Sequence, residues 1–130
     1  AGTVAVMRPG AQLYLRDSAP PTAAFREAGI PMAIGTDLNP GSSPVHDLWT
    51  AATLAWLIPG LTIEEAGWGI TRHAAQALGR PDCGILVVGG RADLALFHPP
   101  PGEPAVVSSL IQHMGTPDAC CVIANGKRIR

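Results

Sequence analysis

Residues 31–44 read PMAIGTDLNPGSSP, an apolar run of strand length that ends in an aspartate and a polar turn. Continuous apolar runs of this length are typical of strands buried on both faces of a parallel sheet. A second run, residues 3–7, precedes it, and a short helix capped by Thr22 is predicted between the two runs, over residues 23–28. Residues 3–36 are therefore predicted to form a βαβ unit, in which the Pro- and Gly-rich residues 8–21 are a loop.

Two helices are predicted downstream of this unit. Ser43, followed by Pro44, is a good helix entry, and apolar residues at helical spacing extend that helix to about residue 57. Thr62 and Glu65 have the spacing of a capping box, and the apolar pattern after them predicts a helix that reaches residue 78.

The remaining sequence favours short strands, so the chain is predicted to be α/β first and β afterwards, with a boundary near residue 82. Residues 1–82 are assigned to one domain and residues 83–130 to another. The final strand pair surrounds Asn125 and Gly126, the strongest two-residue hairpin signal. The predicted strands are residues 85–88, 92–97, 119–124 and 127–130.

Composition excludes several classes of protein. A net charge of −1 without a Lys/Arg run argues against nucleic acid, which requires clustered cations. No stretch of 18 apolar residues predicts a membrane span. The 130 residues are too few for a complete (β/α)₈ barrel of about 250 residues. The sequence does not begin with Met, which suggests a processed or excised chain. The three cysteines are expected to be reduced, buried apolar residues of a cytoplasmic protein.

Asp37 is the first candidate for chemistry. It follows a predicted buried strand, and in parallel α/β folds the carboxyl ends of the strands carry ligands and catalytic residues. A carboxylate at that edge can bind a metal or accept a proton. The competing interpretation is an ordinary Asx turn, because Asp-x-Asn-Pro-Gly is also common turn chemistry. The residues alone favour the turn.

The next candidate is the predicted helix start after Asp37. Backbone N–H groups of Gly41, Ser42 and Ser43 would point outward there and attract a carboxylate or phosphate. Simple capping by Ser43 is the alternative. The four histidines form no metal-binding motif, and none is assigned to a metal.

Several stretches together resemble the C-terminal part of the amidohydrolase superfamily, and specifically the imidazolonepropionase family of histidine degradation. The most specific stretch resembles that family's segment around its last barrel strand, where T/S-D-x-N-P-G-T/S-S-P follows a G-x-P run. The Ala-Asp-Leu stretch is common to the wider superfamily. The similar stretches are residues 29–44 (GIPMAIGTDLNPGSSP), 9–16 (PGAQLYLR), 61–66 (LTIEEA), 69–79 (GITRHAAQALG) and 84–94 (GILVVGGRADL).

The resemblance implies roles for four residues. Asp37 matches the family's last-strand aspartate, which binds one catalytic zinc or iron ion, and this favours the metal role over the turn. Asn39 and Gly41 match positions that contact the product, formiminoglutamate, and Ser42 matches one that contacts the substrate, 4-imidazolone-5-propanoate. The chain departs from the family pattern at Leu38, where the family often has Cys, and at His73, where it often has Asn.

The implied fold is the last βα units of a metal-dependent hydrolase TIM-like barrel, followed by short strands of a small β-sandwich domain. The implied reaction is metal-dependent hydrolytic ring opening of a cyclic amide. The family's H-x-H pair, further metal-binding His, catalytic Glu and substrate-binding Arg have no counterpart here, so the chain alone is expected to be inactive. The expected partners are the upstream barrel and, when intact, a second copy. Another cyclic amidase or aminohydrolase, and a non-catalytic fragment, remain alternatives.

Overall fold

The computed structural model describes residues 2–130, which form a mixed α/β fold. A two-stranded parallel sheet and its helices come first, and a three-stranded antiparallel sheet follows. In chain order the elements are β1 (Ala5–Met7), α1 (Pro9–Leu15), α2 (Thr22–Glu27), β2 (Met32–Ile34), α3 (Leu48–Leu57), α4 (Ile63–Gly69), α5 (Arg72–Ala77), β3 (Leu94–Phe97), α6 (Val107–Ile111), β4 (Ala119–Ala124) and β5 (Lys127–Arg128).

The predicted βαβ unit is confirmed. β1 pairs in parallel with β2, with Ala5 opposite Met32 and Met7 opposite Ile34. All three residues of β2 are buried, as the continuous apolar run predicts. The carboxyl ends of both strands therefore lie at one edge of this sheet.

The prediction that residues 8–21 are a loop is wrong for the first half of that segment. Pro9 occupies the first turn of α1, where its missing N–H needs no intrahelical partner. Gly10 is buried in α1 against Ser43 and Val45, where a Cβ atom would lie 2.6 Å from the Ser43 hydroxyl. Close packing thus explains this glycine, which reads as a helix breaker in sequence.

The prediction that Thr22 caps α2 is wrong. It lies inside the helix, and its buried hydroxyl donates to the carbonyl of Pro59 at 2.7 Å. Gly29 closes the helix with a positive φ of 63°.

The core lies between the parallel sheet and the helices. Three alanines of α3 (Ala51, Ala52, Ala55) are fully buried, and this helix contacts β2, α1, α4 and α6. Small side chains on α3 let several elements approach the same helix. The buried apolar cluster consists of Met7, Met32, Ile34, Ala51, Ala52, Ala55, Leu61, Ala66 and Ile111.

The predicted second helix is interrupted. Its capping box is confirmed: Thr62 accepts from the Glu65 backbone N–H at 3.1 Å, and the Glu65 carboxylate accepts from the Thr62 N–H at 2.8 Å. The helix ends at Gly69, and α5 begins at Arg72. Gly69 packs on β2, where a Cβ atom would lie 2.8 Å from Ile34.

The antiparallel sheet has the order β3-β4-β5. The predicted final hairpin is confirmed, with φ of 50° at Asn125 and 76° at Gly126, as a type I′ turn requires. Residues 85–88 are not a strand, and α6 was not predicted.

Two contacts connect the antiparallel sheet and α6 to the helical part. Trp49 of α3 packs edge-on against Phe97 of β3, with ring centroids 5.1 Å apart. The buried Thr53 hydroxyl donates to the carbonyl of Ile111 at 2.6 Å. The predicted boundary near residue 82 stays a prediction.

None of the three cysteines forms a disulfide, and the expectation that they are buried is wrong. Cys120 is exposed, and the other two are half-buried. Across residues 2–130, none of the helices has the length and apolar character needed to cross a membrane.

Candidate active site

Asp37 lies at the carboxyl edge of the parallel sheet, three residues after β2 ends. Its backbone is left-handed, with φ of 51°, a conformation that aspartate tolerates better than most residues. The side chain is 31% exposed, so a ligand can reach the carboxylate. The structure therefore places this predicted residue where the parallel-strand argument expects chemistry.

Arg8 is the charged neighbour of this carboxylate. It directly follows β1 and lies at the same edge of the sheet, and its Nη1 donates to Asp37 Oδ2 at 3.0 Å. The Arg8 side chain is 61% exposed, so the pair is largely in contact with solvent. Oδ1, the other carboxylate oxygen, accepts no hydrogen bond from residues 2–130. Asp37 thus keeps one unused ligand atom.

The turn after Asp37 is held together by the side chain of Asn39. Its Oδ1 accepts from the backbone N–H groups of Gly41 at 2.9 Å and Ser42 at 2.8 Å. Its Nδ2 donates to the Asp37 carbonyl at 2.7 Å and to the Ser42 hydroxyl at 3.0 Å. The amide therefore uses both its donors and its acceptor inside the loop. We call residues 37–43 the Asp37 loop.

The Asp37 loop is anchored to the end of β2 and to itself. The buried Ser43 hydroxyl donates to the carbonyl of Thr36 at 2.6 Å. The backbones of Asn39 and Ser43 form an isolated antiparallel bridge, with N–O distances of 3.1 and 3.4 Å. These contacts fix the path of the chain between Asp37 and the next helix.

The predicted helix start at Ser43 is wrong. Helix α3 begins at Leu48, and its cap is Asp47, whose carboxylate accepts from the Thr50 N–H at 2.7 Å. The backbone N–H groups of Gly41 and Ser42 are already bound by Asn39, so they do not form an anion site at a helix terminus. The Ser43 hydroxyl donates to the carbonyl of Thr36 at 2.6 Å instead of capping a helix.

His73, one of the positions that departs from the family pattern, lies on α5 away from this carboxylate. Its Nδ1 is 3.2 Å from the carbonyl of Met32, and its ring packs edge-on against Trp68 with centroids 5.8 Å apart. Within residues 2–130, no group of three or more His, Cys, Asp or Glu side chains is placed to hold a metal. Asp37 is therefore not joined by two further side chains of these types among the described residues.

An open cavity of about 410 Å³ borders the Asp37 loop and is lined by Tyr14, Leu38, Asn39, Pro40, Ser43 and Pro44. Tyr14 and Leu38 are both more than half exposed and give this cavity an apolar wall. Sequence reasoning missed both Tyr14 and Arg8. Arg8 had a usable signal, because a residue directly after one parallel strand shares an edge with residues after the next.

The sequence profile described as "Amidohydrolase family" matches residues 4–128 of the chain. The chain belongs to the amidohydrolase family. Among curated relatives of this amidohydrolase chain, imidazolonepropionase from Cereibacter sphaeroides is 55% identical over 98 residues, which is 75% of this chain and 25% of that protein. Imidazolonepropionase from a Polaromonas species is 54% identical over 99 residues, which is 75% of this chain and 23% of that protein. The chain spans about a quarter of the length of these relatives.

Solved structures give the same fold. Atrazine chlorohydrolase from Arthrobacter aurescens TC1, complexed with zinc, superposes with a TM-score of 0.85 at 26% identity, over 99% of this chain and 31% of that chain. An adenosine deaminase from Xanthomonas campestris with bound zinc superposes with a TM-score of 0.83 at 26% identity, over 95% of this chain and 31% of that chain. The amidohydrolase fold is therefore shared with two zinc-bound hydrolytic enzymes.

Proposed function

We propose that this amidohydrolase chain is the C-terminal portion of an imidazolonepropionase, which hydrolyses 4-imidazolone-5-propanoate to N-formimidoyl-L-glutamate in histidine degradation. The observation that carries the proposal is the Asp37 loop. It holds a partly exposed carboxylate at the carboxyl edge of two parallel strands. Identity of 55% to an imidazolonepropionase over 98 residues supports this substrate over other rings.

We assign Asp37 as one ligand of a single zinc or iron ion. A carboxylate oxygen suits both metals, and Oδ1 accepts no hydrogen bond from residues 2–130. Such an ion, when bound, polarises the ring carbonyl and lowers the pKa of a water molecule. A catalytic zinc ion usually has three protein ligands, so the remaining ligands come from the upstream part of the enzyme. We also propose that Asp37 accepts a proton during the reaction.

The Asp37 loop is the proposed wall of the substrate site. Asn39 organises it, because both hydrogens of its amide are used within the loop. Gly41 is exposed and lets a small molecule approach the backbone closely. The Ser42 hydroxyl donates to Asn39 and accepts from it, which leaves one lone pair for the substrate. We therefore assign Gly41 and Ser42 to contact with the substrate or product. We assign Asn39 to the same contact on the family match, since its amide is already bound within the loop.

The parallel sheet fits the last strands of a TIM-like barrel, and we assign residues 1–82 to it. Both edges of β1-β2 are unpaired within residues 2–130, as expected if upstream barrel strands complete the sheet. Residues 83–130, with the antiparallel sheet, would belong to a small β-sandwich domain. The intact enzyme is proposed to be a cytoplasmic homodimer, and the chain alone is proposed to be inactive.

The decisive experiment uses the full-length natural protein that contains this sequence. Purified protein is incubated with 4-imidazolone-5-propanoate, N-formimidoyl-L-glutamate is measured by mass spectrometry, and bound metal is measured by elemental analysis. Asp37→Ala is expected to lose both the metal and turnover. Asp118→Ala is the matched control, because Asp118 is exposed and makes no ion pair within residues 2–130. A metal content and turnover unchanged by Asp37→Ala would refute the assignment.

A second candidate function is that of an aminohydrolase, in which water replaces an amino group on a different ring and ammonia is released. The adenosine deaminase and chlorohydrolase neighbours favour it, since both share the fold at 26% identity. The same preparation separates the two readings. Release of ammonia from adenosine or guanine, without ring opening of the imidazolone, would select the aminohydrolase.

A further inference from the structure

Arg8 is a cation that the structure places beside the candidate metal ligand. Its position is fixed by the backbone on both sides. The Met7 carbonyl accepts from the Gly35 N–H at 3.0 Å, and the Arg8 carbonyl accepts from the Gln12 N–H at 3.0 Å. Arg8 is also the residue that precedes Pro9, the first residue of α1. The guanidinium therefore starts from a fixed point at the carboxyl edge of the sheet.

We propose that Arg8 lowers the affinity of Asp37 for a divalent metal ion because its positive charge lies against one oxygen of the carboxylate. This rests on the proposed metal role of Asp37. Arg8 Nη1 lies 3.0 Å from Asp37 Oδ2, so that oxygen is engaged, and Oδ1 alone is left for an ion. Arg8 in this way restricts Asp37 to binding through one oxygen.

Charge sets the direction of the effect. A guanidinium and a divalent ion that share one carboxylate repel each other, and each reduces the negative charge that the other meets. Arg8 also orients the carboxylate, which favours metal binding, but the exposed guanidinium is a weak tether. Repulsion of a doubly charged ion is therefore the larger effect, and Arg8 acts as a positioning residue that keeps metal binding loose.

The test uses the full-length natural protein and Zn²⁺ in competition with a chelator. Arg8→Leu is expected to bind Zn²⁺ about 3- to 10-fold more tightly, equal to about 0.6–1.4 kcal/mol. Arg8→Gln removes the charge but keeps a donor, and it is expected to follow Arg8→Leu. Arg8→Lys keeps the charge and is expected to bind Zn²⁺ like the wild type. The matched control is Arg72→Leu, because Arg72 is exposed and has no ion pair within residues 2–130.

Salt gives a second readout that a purely structural role would not change. The difference between wild type and Arg8→Leu is expected to shrink as ionic strength rises from 0.05 to 0.5 M, because exposed charges are screened. Equal or weaker Zn²⁺ binding by Arg8→Leu would overturn the proposal, as would an Arg8→Lys variant that binds like Arg8→Leu. Failure of the proposed function looks different: the wild type itself would bind no Zn²⁺, or Asp37→Ala would bind it unchanged.

Discussion

Replacing Asn39 with alanine tests whether one amide side chain organises the candidate site. Asn39 Oδ1 accepts from two backbone N–H groups, Gly41 at 2.9 Å and Ser42 at 2.8 Å. Its Nδ2 also holds the Asp37 carbonyl at 2.7 Å. The variant removes all of these contacts and creates no clash, since alanine is smaller. We expect the Asp37 loop to open locally while the global fold persists.

The magnitude follows from the two lost acceptor contacts. A neutral intramolecular hydrogen bond contributes roughly 0.5–1.5 kcal/mol net, so two contribute about 1–3 kcal/mol. The local opening equilibrium rises by the corresponding Boltzmann factor, roughly 5- to 160-fold. Amide hydrogen exchange of Gly41 and Ser42 should accelerate by that factor wherever exchange follows the opening equilibrium.

Hydrogen exchange with peptide-level mass spectrometry on the full-length protein measures this directly. The peptide that covers residues 38–44 should lose its protection in Asn39→Ala, while peptides from the buried helix α3 should not change. Ser42→Ala is the matched control, because it removes the hydroxyl and leaves both acceptor contacts of Asn39 in place. Unchanged exchange in residues 38–44 of a folded Asn39→Ala protein would refute the network as the organiser of the loop.

Two further predictions concern the helices behind the sheet. Arg26 donates to both oxygens of Glu65 and holds the pKa of Glu65 below its usual range. Because the pKa of Glu65 is higher in the unfolded chain, this ion pair stabilises the fold fully above about pH 4.3. The stabilisation is lost as pH falls through the pKa of the folded protein. Denaturant midpoints measured against pH should show this loss, and Glu65→Gln should flatten it; an equally steep fall in Glu65→Gln would contradict the assignment. Gly69→Ala should lower the free energy of unfolding by about 1–3 kcal/mol, because its Cβ would lie 2.8 Å from Ile34. The control is Gly67→Ala on the same helix, whose Cβ would meet only an ordinary contact at 3.5 Å, so it should be neutral or up to about 1 kcal/mol stabilising. A similar fall in the free energy of unfolding in both variants would exclude close packing as the reason for Gly69.

Local patterns predicted those elements whose signals are local. The apolar run of β2, the capping box of Thr62 and Glu65, and the hairpin turn at Asn125 each depend on residues within a few positions of one another. Predictions were wrong where a contact with a residue far away in the sequence determines the local structure. Gly10 belongs to a helix because it packs against Ser43, and Thr22 is drawn away from capping by the carbonyl of Pro59.

The candidate site was predicted in position but not in its internal contacts. The strand-end argument and the family resemblance both select Asp37, and the structure places it at the expected edge. The sequence predicts free N–H groups at a helix start, whereas Asn39 binds those of Gly41 and Ser42. A helix start and an Asx-type turn use the same residue types, so their spacing does not separate them.

The Asp37 loop and Arg8 divide the control of the candidate metal ligand between them. A left-handed backbone costs most L-residues about 1–2 kcal/mol, and aspartate less. Asn39 supports the φ of 51° at Asp37 by donating to the carbonyl of Asp37. The loop thus fixes where the carboxylate is, while Arg8 determines how much of its charge an incoming ion meets. Both influences arise within this chain, from residues at the carboxyl edge of the same two strands. Changes to Asn39 should therefore alter the geometry of metal binding, and changes to Arg8 its strength. The two effects should be coupled rather than additive, because both residues contact Asp37.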